Sequence, residues 1–519
     1  MLVQRTRAPQ ADRVFRTFRV RFPTATALVE AGPGVAAEIT SQAGLHWRGP
    51  LLYEAARLVS ARGGAPPESE RELRALPGVG PYAAAAWLSL HRGKRAVIVD
   101  NNVARWLARL EGRHSQSIEL GLDRVRRVAD ALALVPRFPV ITVGGTNGKG
   151  STCAYLEAIL RAAGHRTGLY TSPHLRRYNE RVRIAGSEAS DAALIDAFET
   201  VEAARGDVSL TYFEFGTLAA MTQFASAGVE VAILEVGLGG RLDAVNLWDA
   251  DAAIVTGVDL DHQDYLGDTR EAIGYEKAGI FRAGRPAICA DPDPPERLIA
   301  HARAIGADLM RLGPDFAIER RDGRWDWRGR DRAWTDLPLP AMRGAYQLRN
   351  AAGALAALDA LAVRLPADAA AIRAGLASAR ATGRFQQIAA RPEIIVDVAH
   401  NPEAARALAS VLAESPPRGR TLAVVGMLAD KDAAGVIAAL RPVVDAWWTC
   451  TPPSPRARDA AALAGSVRAH APGAAVRVAG TPAEALAAAR SAADENDRIV
   501  AFGSFYTVAA VLDHAAPQS

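Results

Sequence analysis

The chain has 519 residues, of which 49% are hydrophobic and 23% charged, a composition typical of globular proteins with roughly three domains. It shows neither a charged-then-apolar N-terminal signal nor a run of about 18 apolar residues, so we expect a cytoplasmic protein without membrane contact. The three cysteines lie far apart and match no disulfide, zinc or iron–sulfur spacing. The net charge of +4 is unevenly divided, because residues 1–113 carry 17 Lys and Arg against 9 Asp and Glu. Two unlike segments are therefore predicted.

The basic first segment contains a helix–hairpin–helix pattern. Residues 76–86, "LPGVGPYAAAA", combine an apolar anchor, a GVG hairpin and a small-residue helix whose N-terminal amides can hold a DNA phosphate. Together with "VIVDNNVARWLARL" at 97–110, this resembles the helix–hairpin–helix DNA glycosylases of the endonuclease III and adenine glycosylase type. The resemblance gives Asp100 the role of the catalytic aspartate. Tyr82 stands where lyase-type members have lysine, so Schiff-base chemistry is not expected. We predict a small all-α segment at 1–113.

The glycosylase-like segment is expected to be incomplete. The second acidic residue of adenine glycosylases would precede the first residue of this chain, and no four-cysteine cluster motif follows the pattern. The alternatives are therefore a fusion remnant, a misplaced start, DNA binding without base excision, or an intact base-excision activity of this segment. A net charge of +8 favours weak, non-specific contact with DNA, through the hairpin amides of Gly78 and Gly80 and arginines such as Arg105 and Arg109. The same surface could equally be a solvated basic face.

A phosphate-binding loop follows the strand-like "PVITV" at 139–143 and precedes an amphipathic helix. Strand, glycine-rich loop and helix come in the order that lets backbone amides and a helix N-terminus face a polyphosphate. Lys149 can reach the β- and γ-phosphates, and Ser151 can bind Mg²⁺. The alternative, a tight turn with an exposed lysine, is disfavoured by four glycines at these offsets. The predicted nucleotide-binding residues of the loop are Gly145, Thr146, Asn147, Gly148, Lys149, Gly150 and Ser151.

Gly150 separates Lys149 from Ser151, so the loop departs from the common GxxxxGK[ST] form. GTNGKGS resembles the Mur ligase superfamily, and further motifs narrow the resemblance to the folylpolyglutamate synthase/dihydrofolate synthase family over about 117–519. These motifs are "TSPHLRRYNERVRI" (171–184), "TYFEFGTLAA" (211–220), "LEVGLGGRLDAVN" (234–246), "DHQDYLGDTREAIGYEKAGIF" (261–281), "YQLRNAA" (346–352) and "IVDVAHNP" (395–402). Seven motifs in order are far more specific than any one of them.

The resemblance assigns metal ligands that the residues alone would not. Glu235 ends an apolar strand and His262 follows another, positions at which a solvated carboxylate and a structural histidine are the usual findings. The resemblance implies that Ser151, Glu235 and His262 bind Mg²⁺. It also implies that Lys277, by itself a surface lysine, is carbamylated and holds a second Mg²⁺.

Strand–helix alternation resumes in the last third of the chain and predicts a second, smaller parallel sheet. The resemblance places Asn350, Arg384, Asp397 and His400 on the nucleotide from this side. Thr382 stands where the family has proline before the glycine of the linker. The predicted fold class is α/β, with a P-loop Mur-ligase-type central domain at 117–380 and a Rossmann-like C-terminal ligase domain at 385–519.

The implied reaction is the addition of L-glutamate to dihydropteroate or a reduced folate, with ATP forming an acyl phosphate first. Lys149, His262 and Lys277 are the expected catalytic residues, and a monomer is expected. The two competing interpretations are a Mur-type ligase for a UDP-linked precursor and a DNA-binding protein with a vestigial ligase half. Substrate contacts are expected from Ser172, Pro173, His174, Arg181, Phe213 and Asp243.

Overall fold

The computed structural model describes residues 20–41, 49–79 and 118–515, together with the single positions 17, 103, 106, 107 and 110. The chain divides into two compact units, one at Met1–Ala108 with the last three residues and one at Arg109–Ala516. None of the described helices is long and apolar enough to span a bilayer. Asp100, Tyr82, Gly80, Arg105 and Arg109 lie outside the described residues.

The described part of the first unit is helical. Its helices are α1 (Ala25–Ala31), α2 (Pro33–Ser41), α3 (Gly49–Ser60) and α4 (Glu70–Arg74). Thr24 caps α1 by accepting a hydrogen bond from the Ala27 amide at 3.1 Å. A Cβ on Gly49 would lie 2.3 Å from the Ala37 Cα, so glycine is what lets α2 and α3 approach closely. Gly78 has a φ of +74°, which suits the predicted hairpin, but the rest of that motif beyond Val79 is outside the described residues.

The second unit begins with α5 and an eight-stranded sheet. Its elements up to the end of that sheet are α5 (Asp123–Ala131), β1 (Val140–Gly144), α6 (Lys149–Ala162), β2 (Thr167–Tyr170), β3 (Val182–Ile184), β4 (Ser187–Glu188), α7 (Asp191–Arg205), α8 (Tyr212–Ala227), β5 (Val231–Glu235), β6 (Ala252–Val255), α9 (Gln263–Leu266), α10 (Arg270–Ala278), β7 (Pro286–Cys289), α11 (Glu296–Ala304) and β8 (Asp308–Arg311).

The strand order of this sheet places the phosphate loop. The order is β4-β3-β2-β5-β1-β6-β7-β8, parallel from β2 to β8 with β3 and β4 antiparallel at one edge. β1 is central and fully buried, and it pairs with β5 on one side and β6 on the other. The loop after β1 therefore lies between the carboxyl ends of β5 and β6, the position at which open α/β sheets bind ligands.

A small antiparallel sheet and two helices connect this sheet to the C-terminal one. The connecting elements are β9 (Ala317–Arg321), β10 (Arg324–Arg328), β11 (Ala333–Pro338), α12 (Ala345–Ala360) and α13 (Ala369–Ser378). The small sheet has the order β11-β10-β9, and its strand β10 carries two fully buried tryptophans, Trp325 and Trp327. This insertion was not predicted from the sequence.

The C-terminal sheet has six strands in the order β12-β13-β17-β14-β15-β16, parallel except for the edge strand β12. Its elements are β12 (Gln386–Ala390), β13 (Glu393–Val396), α14 (Pro402–Glu414), β14 (Thr421–Val425), α15 (Ala433–Leu440), β15 (Ala446–Thr449), α16 (Ala460–His470), β16 (Ala475–Val478), α17 (Pro482–Ala492), β17 (Arg498–Phe502) and α18 (Phe505–Ala515). The smaller sheet predicted for the last third of the chain is present.

The helix that follows the phosphate loop is held by unusually close packing. A Cβ placed on Gly375 of α13 would lie 2.6 Å from both the N and the Cα of Ile159 in α6. Since real Cβ atoms do not approach backbone atoms so closely, α13 can contact α6 only through glycine. The position of α6 therefore depends on this residue.

We predict that Gly375→Ala lowers stability by about 1–3 kcal/mol, because the added methyl group forces α13 away from α6. Gly465→Ala is the matched control, since Gly465 lies in α16 with nothing within 4 Å of its Cβ position. The control should gain roughly 0.5–1 kcal/mol from helix propensity. Denaturant midpoints followed by circular dichroism measure both, and equal midpoints would contradict the packing argument.

Candidate active site

A deep cavity in the second unit has a volume of about 1170 Å³. Its walls are the phosphate loop, the residues after β2, β5 and β6, the start of α8, and the loops after β13, β14 and β17. Pockets for one small molecule are typically ~300–1,000 Å³, so this cavity has room for more than one substrate. The predicted residues that line it are Gly145, Thr146, Asn147, Gly148, Lys149, Ser151, Ser172, Pro173, His174, Arg181, Phe213, Glu235, Asp243, His262, Lys277, Asn350, Arg384, Asp397 and His400.

The loop backbone has a shape that only glycine permits at two positions. Gly145 has a φ of +144°, and its Cβ would lie 1.9 Å from Thr256 Oγ1. Gly148 has a φ of +92°, and its Cβ would lie 2.4 Å from Asn350 Oδ1. Lys149 begins α6 and donates to the carbonyls of Gly145 and Thr146 at 3.0 and 3.1 Å. Its ammonium group is thus held over the loop, where phosphates would bind.

Glu235 is a buried carboxylate at the end of β5, beside the loop. Gly150 does not line the cavity but faces this group, since its Cβ would lie 3.7 and 3.8 Å from the two carboxylate oxygens. One of these oxygens accepts a hydrogen bond from the Ser172 amide at 3.1 Å. Burial raises the pKa of Glu235, and the positive charge of Lys149 opposes that rise. The sequence named Ser172 only as a substrate contact; the structure brings it to the predicted metal ligand.

His262 stands in the left-handed region at a φ of 53°, directly before α9. Although the side chain is 41% exposed, partial desolvation lowers its pKa to about 4; Asp261 acts against this shift, and Lys431 and Lys149 act with it. Its imidazole is therefore neutral at neutral pH, the form that binds metals.

Oxygen ligands with one neutral imidazole fit a small divalent cation, so the residues present are compatible with Mg²⁺. Among the described residues, no group of three or more His, Cys, Asp and Glu is arranged to hold a metal ion. Of these four residue types, the predicted Mg²⁺ ligands beside the loop include only Glu235 and His262. The other ligands of the ion would be a hydroxyl group and oxygens of the bound substrate.

Lys277 is only 4% exposed and lines the cavity from α10. No carboxylate among the described residues lies within 4.0 Å of its ammonium nitrogen. Burial lowers the pKa of Lys277 to about 7, and the charge of Lys149 contributes in the same direction. A substantial part of this lysine is therefore the neutral, nucleophilic amine near neutral pH.

A second buried cation, Arg181, lies on the far wall of the cavity. Its guanidinium carbon is 5.4 Å from the ring centre of Tyr178 and 5.2 Å from that of Tyr212. Its Nε donates to His174 Nδ1 at 2.8 Å, and burial lowers the pKa of this histidine to about 4. Arg181 also interacts with the Tyr170 hydroxyl, but no described carboxylate forms an ion pair with it, so its positive charge is available to an anionic ligand.

Asp243 and Phe213 shape the neighbouring wall. Gly237 approaches the Phe213 ring so closely that its Cβ would lie 2.8 Å from Cζ. The Asp243 carboxylate accepts hydrogen bonds from the amides of Gly237, Leu238 and Val245 at 2.9–3.0 Å. Since a carboxylate has about four acceptor positions, one remains for a ligand.

Residues 118–121 form a wall that the sequence analysis missed, and all four line the cavity. The Gly121 amide donates to the Leu242 carbonyl at 3.2 Å. Arg124 then joins this segment to α8 by donating to the Glu214 carboxylate at 3.0 Å. The missed signal was "SIELGL", an apolar segment directly before a helix.

The C-terminal sheet contributes polar groups that contact the loop directly. Asn401 caps α14 and also donates to Asn147 Oδ1 at 3.3 Å and to Asp261 Oδ2 at 3.4 Å. Lys431 donates to Asp261 Oδ1 at 2.6 Å, and both side chains are largely buried. Burial raises the pKa of the Asp261 carboxyl, but His400, His262 and Lys431 together hold it well below its usual range. Sequence reasoning singled out neither Asp261 nor Lys431.

The residues predicted to contact the nucleotide from the C-terminal side are also anchored. Asp397 accepts from the amides of Phe385 and Ala399, both at 2.8 Å, which fixes the loop on either side of it. The guanidinium carbon of Arg384 lies 5.7 Å from the ring centre of Phe505. Its Nη2 lies 3.9 Å from the Cβ position of Gly150 in the phosphate loop. Gly383 follows Thr382, the residue that stands where the family has proline, and has a φ of +71°.

Comparison with known proteins identifies the family. Residues 143–315 match the Mur ligase middle domain, and residues 383–505 match the Mur ligase glutamate ligase domain. The dihydrofolate synthase/folylpolyglutamate synthase of Escherichia coli K12 is 46% identical over 424 residues, covering 81% of this chain and 97% of the relative. This chain belongs to the dihydrofolate synthase/folylpolyglutamate synthase family.

Solved structures agree with this family membership. The Escherichia coli FolC structure in complex with DHPP and ADP has a TM-score of 0.76 and 46% identity, over 79% of this chain and 97% of that chain. The Yersinia pestis folylpolyglutamate synthase/dihydrofolate synthase with AMPPNP and Mn ion has a TM-score of 0.74 and 48% identity, over the same shares. The predicted fold class and ligase family of this synthase are confirmed; the glycosylase-like resemblance of 1–113 stays a prediction.

Proposed function

We propose that this synthase uses ATP to join L-glutamate to the carboxyl group of dihydropteroate, of a reduced folate, or of both. The observation that carries the proposal is a set of cations that line one cavity without an ion pair to any described residue: Lys149, Arg181, Lys277, Arg349 and Arg384. Arg181 and Lys277 are buried and the others are partly buried, and charges that are withdrawn from water need partners. A nucleotide triphosphate and two carboxylate-bearing substrates would supply them.

In this proposal the phosphate loop and Lys149 hold the triphosphate, and Asn350, Arg384, Asp397 and His400 contact the nucleotide from the C-terminal side. A substrate carboxylate oxygen attacks the terminal phosphorus and gives an acyl phosphate with loss of ADP. The neutral amine of glutamate then attacks the acyl carbon, the bond from that carbon to the phosphate oxygen breaks, and the nitrogen loses one proton as phosphate leaves. The protein supplies positioning, charge neutralisation and exclusion of water.

Mg²⁺ would be held by Glu235, His262 and a hydroxyl group, and it would neutralise phosphate charge when bound. Ser151 is the hydroxyl that the family resemblance suggests, and Gln347 Nε2 donates to it at 3.2 Å. Ser172 is a second candidate, because its amide already contacts Glu235.

The wall formed by Ser172, Pro173, His174, Arg181, Phe213 and Asp243 is proposed as the site of the pterin acid, with residues 118–121 completing it. Arg181 suits a substrate carboxylate, since a guanidinium binds such groups through paired donors. Family membership favours this folate reaction over a UDP-linked one. The three cysteines are unpaired and buried, which fits a reducing cytoplasm, and we propose a monomer there.

We predict that Lys149→Ala lowers kcat by about 10²–10³-fold, because a preorganised positive group is lost from the phosphates being transferred. Phosphate release with dihydropteroate, ATP and glutamate measures this. Arg328→Ala, an exposed arginine on β10, is the control and should leave the rate unchanged. Absence of turnover by the wild-type protein with any pterin acid would contradict the proposed function, and normal kcat for Lys149→Ala would contradict the loop's role.

Lys277 is proposed to be carbamylated, as the family resemblance implies. Its neutral amine would attack CO₂, forming an N–C bond and releasing one proton, and the resulting anion would hold a second Mg²⁺. Burial without a carboxylate at ion-pair distance favours this modification, since it converts an uncompensated cation into a metal-binding anion.

With carbon-13-labelled bicarbonate, we expect a carbamate NMR signal that Lys277→Gln abolishes. Lys431→Gln should keep the signal, because Lys431 is already paired with Asp261. A signal unaffected by Lys277→Gln, or no signal in the wild type, would be evidence against the modification.

For residues 1–113 we propose a helix–hairpin–helix, glycosylase-like segment that is deficient in base excision. The net charge of +8 supports weak, sequence-independent DNA contact that falls steeply with salt. The ligase domains are proposed at 117–380 and 385–519.

We predict no Asp100-dependent strand cleavage on duplexes with A opposite 8-oxoguanine or T opposite G, because a monofunctional glycosylase needs a second acid. Asp100→Asn is the matched control, and alkali-treated gels give the readout. Cleavage by the wild type that this variant loses would show a working glycosylase.

A further inference from the structure

Gln347 is a buried amide behind the phosphate loop. It lies in the first turn of α12, is 1% exposed, and is not among the residues that line the cavity. The rest of the buried face of α12 is almost entirely apolar, with alanines such as Ala351, Ala352 and Ala354. Burial of an amide in such a face costs free energy unless its donors and acceptor are all satisfied.

Three hydrogen bonds hold the Gln347 amide in place. Its Nε2 donates to Ser151 Oγ at 3.2 Å. Its Oε1 accepts from Asn350 Nδ2 at 3.1 Å and from the Tyr155 hydroxyl at 3.4 Å. One amide therefore connects a residue of the phosphate loop with a cavity residue of α12, and both ends of the amide are committed.

The contact with Asn350 decides how that residue faces the loop. Because Asn350 Nδ2 is directed to Gln347, its Oδ1 is the atom beside Gly148, only 2.4 Å from the Cβ position of this glycine. An asparagine amide without such a partner could rotate by half a turn and exchange its acceptor for its donor. Gln347 removes that freedom.

The contact with Ser151 acts on the loop itself. Ser151 is 1% exposed and lies in the first turn of α6. A hydroxyl has two acceptor lone pairs and one donor. With Gln347 donating to one lone pair, the rotation of the hydroxyl is restricted, and one lone pair and the proton remain for other partners.

We infer that Gln347 is a positioning residue for nucleotide binding, which acts by fixing the Ser151 hydroxyl and the Asn350 amide without touching the ligand. The inference rests on the proposed function, in which the nucleotide occupies the loop at 145–151. In metal sites, polar groups that orient the direct ligands control affinity in this way, and their loss lowers the metal affinity or the activity by about 10–100-fold.

The test is nucleotide affinity in the full chain, measured by calorimetric titration with ADP in the presence of Mg²⁺. Gln347→Leu should raise the Kd for ADP by about 10–100-fold, and the KM values for dihydropteroate and glutamate should stay at the wild-type level. Gln347→Met, a flexible side chain of similar size, serves as a second variant if the leucine variant does not fold. Thermal unfolding of each variant reports its stability separately from binding.

Gln223→Leu is the matched control. Gln223 is also a buried glutamine in a helix, 4% exposed, and donates to the Ala193 carbonyl at 3.1 Å, away from the nucleotide residues. It should lose stability without a change in the Kd for ADP. An equal Kd for the wild type and both Gln347 variants would overturn the inference.

A double-mutant cycle adds a readout that simple packing would not change. If Gln347 acts partly through Asn350, the two substitutions remove the same contribution to binding. The fold increase in the Kd for ADP of the double variant Asn350→Ala/Gln347→Leu should therefore be well below the product of the two single increases. Fully multiplicative losses would overturn the inference. If the wild-type protein itself fails to bind ADP, the proposed function fails instead, so the two failures are distinguishable.

Discussion

Unpaired positive charge in one cavity is the physical constraint on which the arrangement of this molecule depends. Lys149, Arg181, Lys277 and Arg384 face the same space, and none forms an ion pair with a described residue. Arg181 and Lys277 are buried, and burial of a cation without a compensating charge is unfavourable. The fold compensates partly with carbonyls at Lys149 and aromatic rings at Arg181. Under the proposed function, anionic substrates would complete the compensation, so that binding and charge neutralisation would be the same event.

Two sheets must be held in register for these charges to converge. The loop after β1 and the carboxyl end of β5 bring Lys149 and Glu235 together, whereas Arg384 comes from the segment before the C-terminal sheet. The ion pair between Lys431 and Asp261 connects the segment after β14 with the segment after β6. Asn401 donates hydrogen bonds both to the Asp261 carboxylate and to Asn147. Because Asn401 also caps α14, the orientation of a whole helix is coupled to the phosphate loop.

The sequence was sufficient for the parts of the site that short segments encode. A glycine-rich loop between a β-branched strand and a helix has one plausible shape, and the ordered motifs around it predicted the family and both sheets. Residues 118–121 were missed because their place in the wall depends on Leu242 and Glu214, more than ninety residues away in sequence. The Asp261–Lys431 bond spans 170 positions and leaves no local pattern. Such contacts arise from topology, which periodicity does not encode.

Lysine is rare in this chain and is concentrated in the cavity. The chain has 61 lysines and arginines, but only four are lysines, and three of these, Lys149, Lys277 and Lys431, line the cavity. Arginine remains charged at all relevant pH values, whereas lysine is a compact cation whose pKa responds to burial. Elsewhere on the described surface, where a permanent charge and a broad donor group are enough, the chain uses arginine. Lysine is retained where a point charge must fit into a phosphate loop, pair in a confined space with Asp261, or lose its proton, as the pKa of about 7 at Lys277 allows.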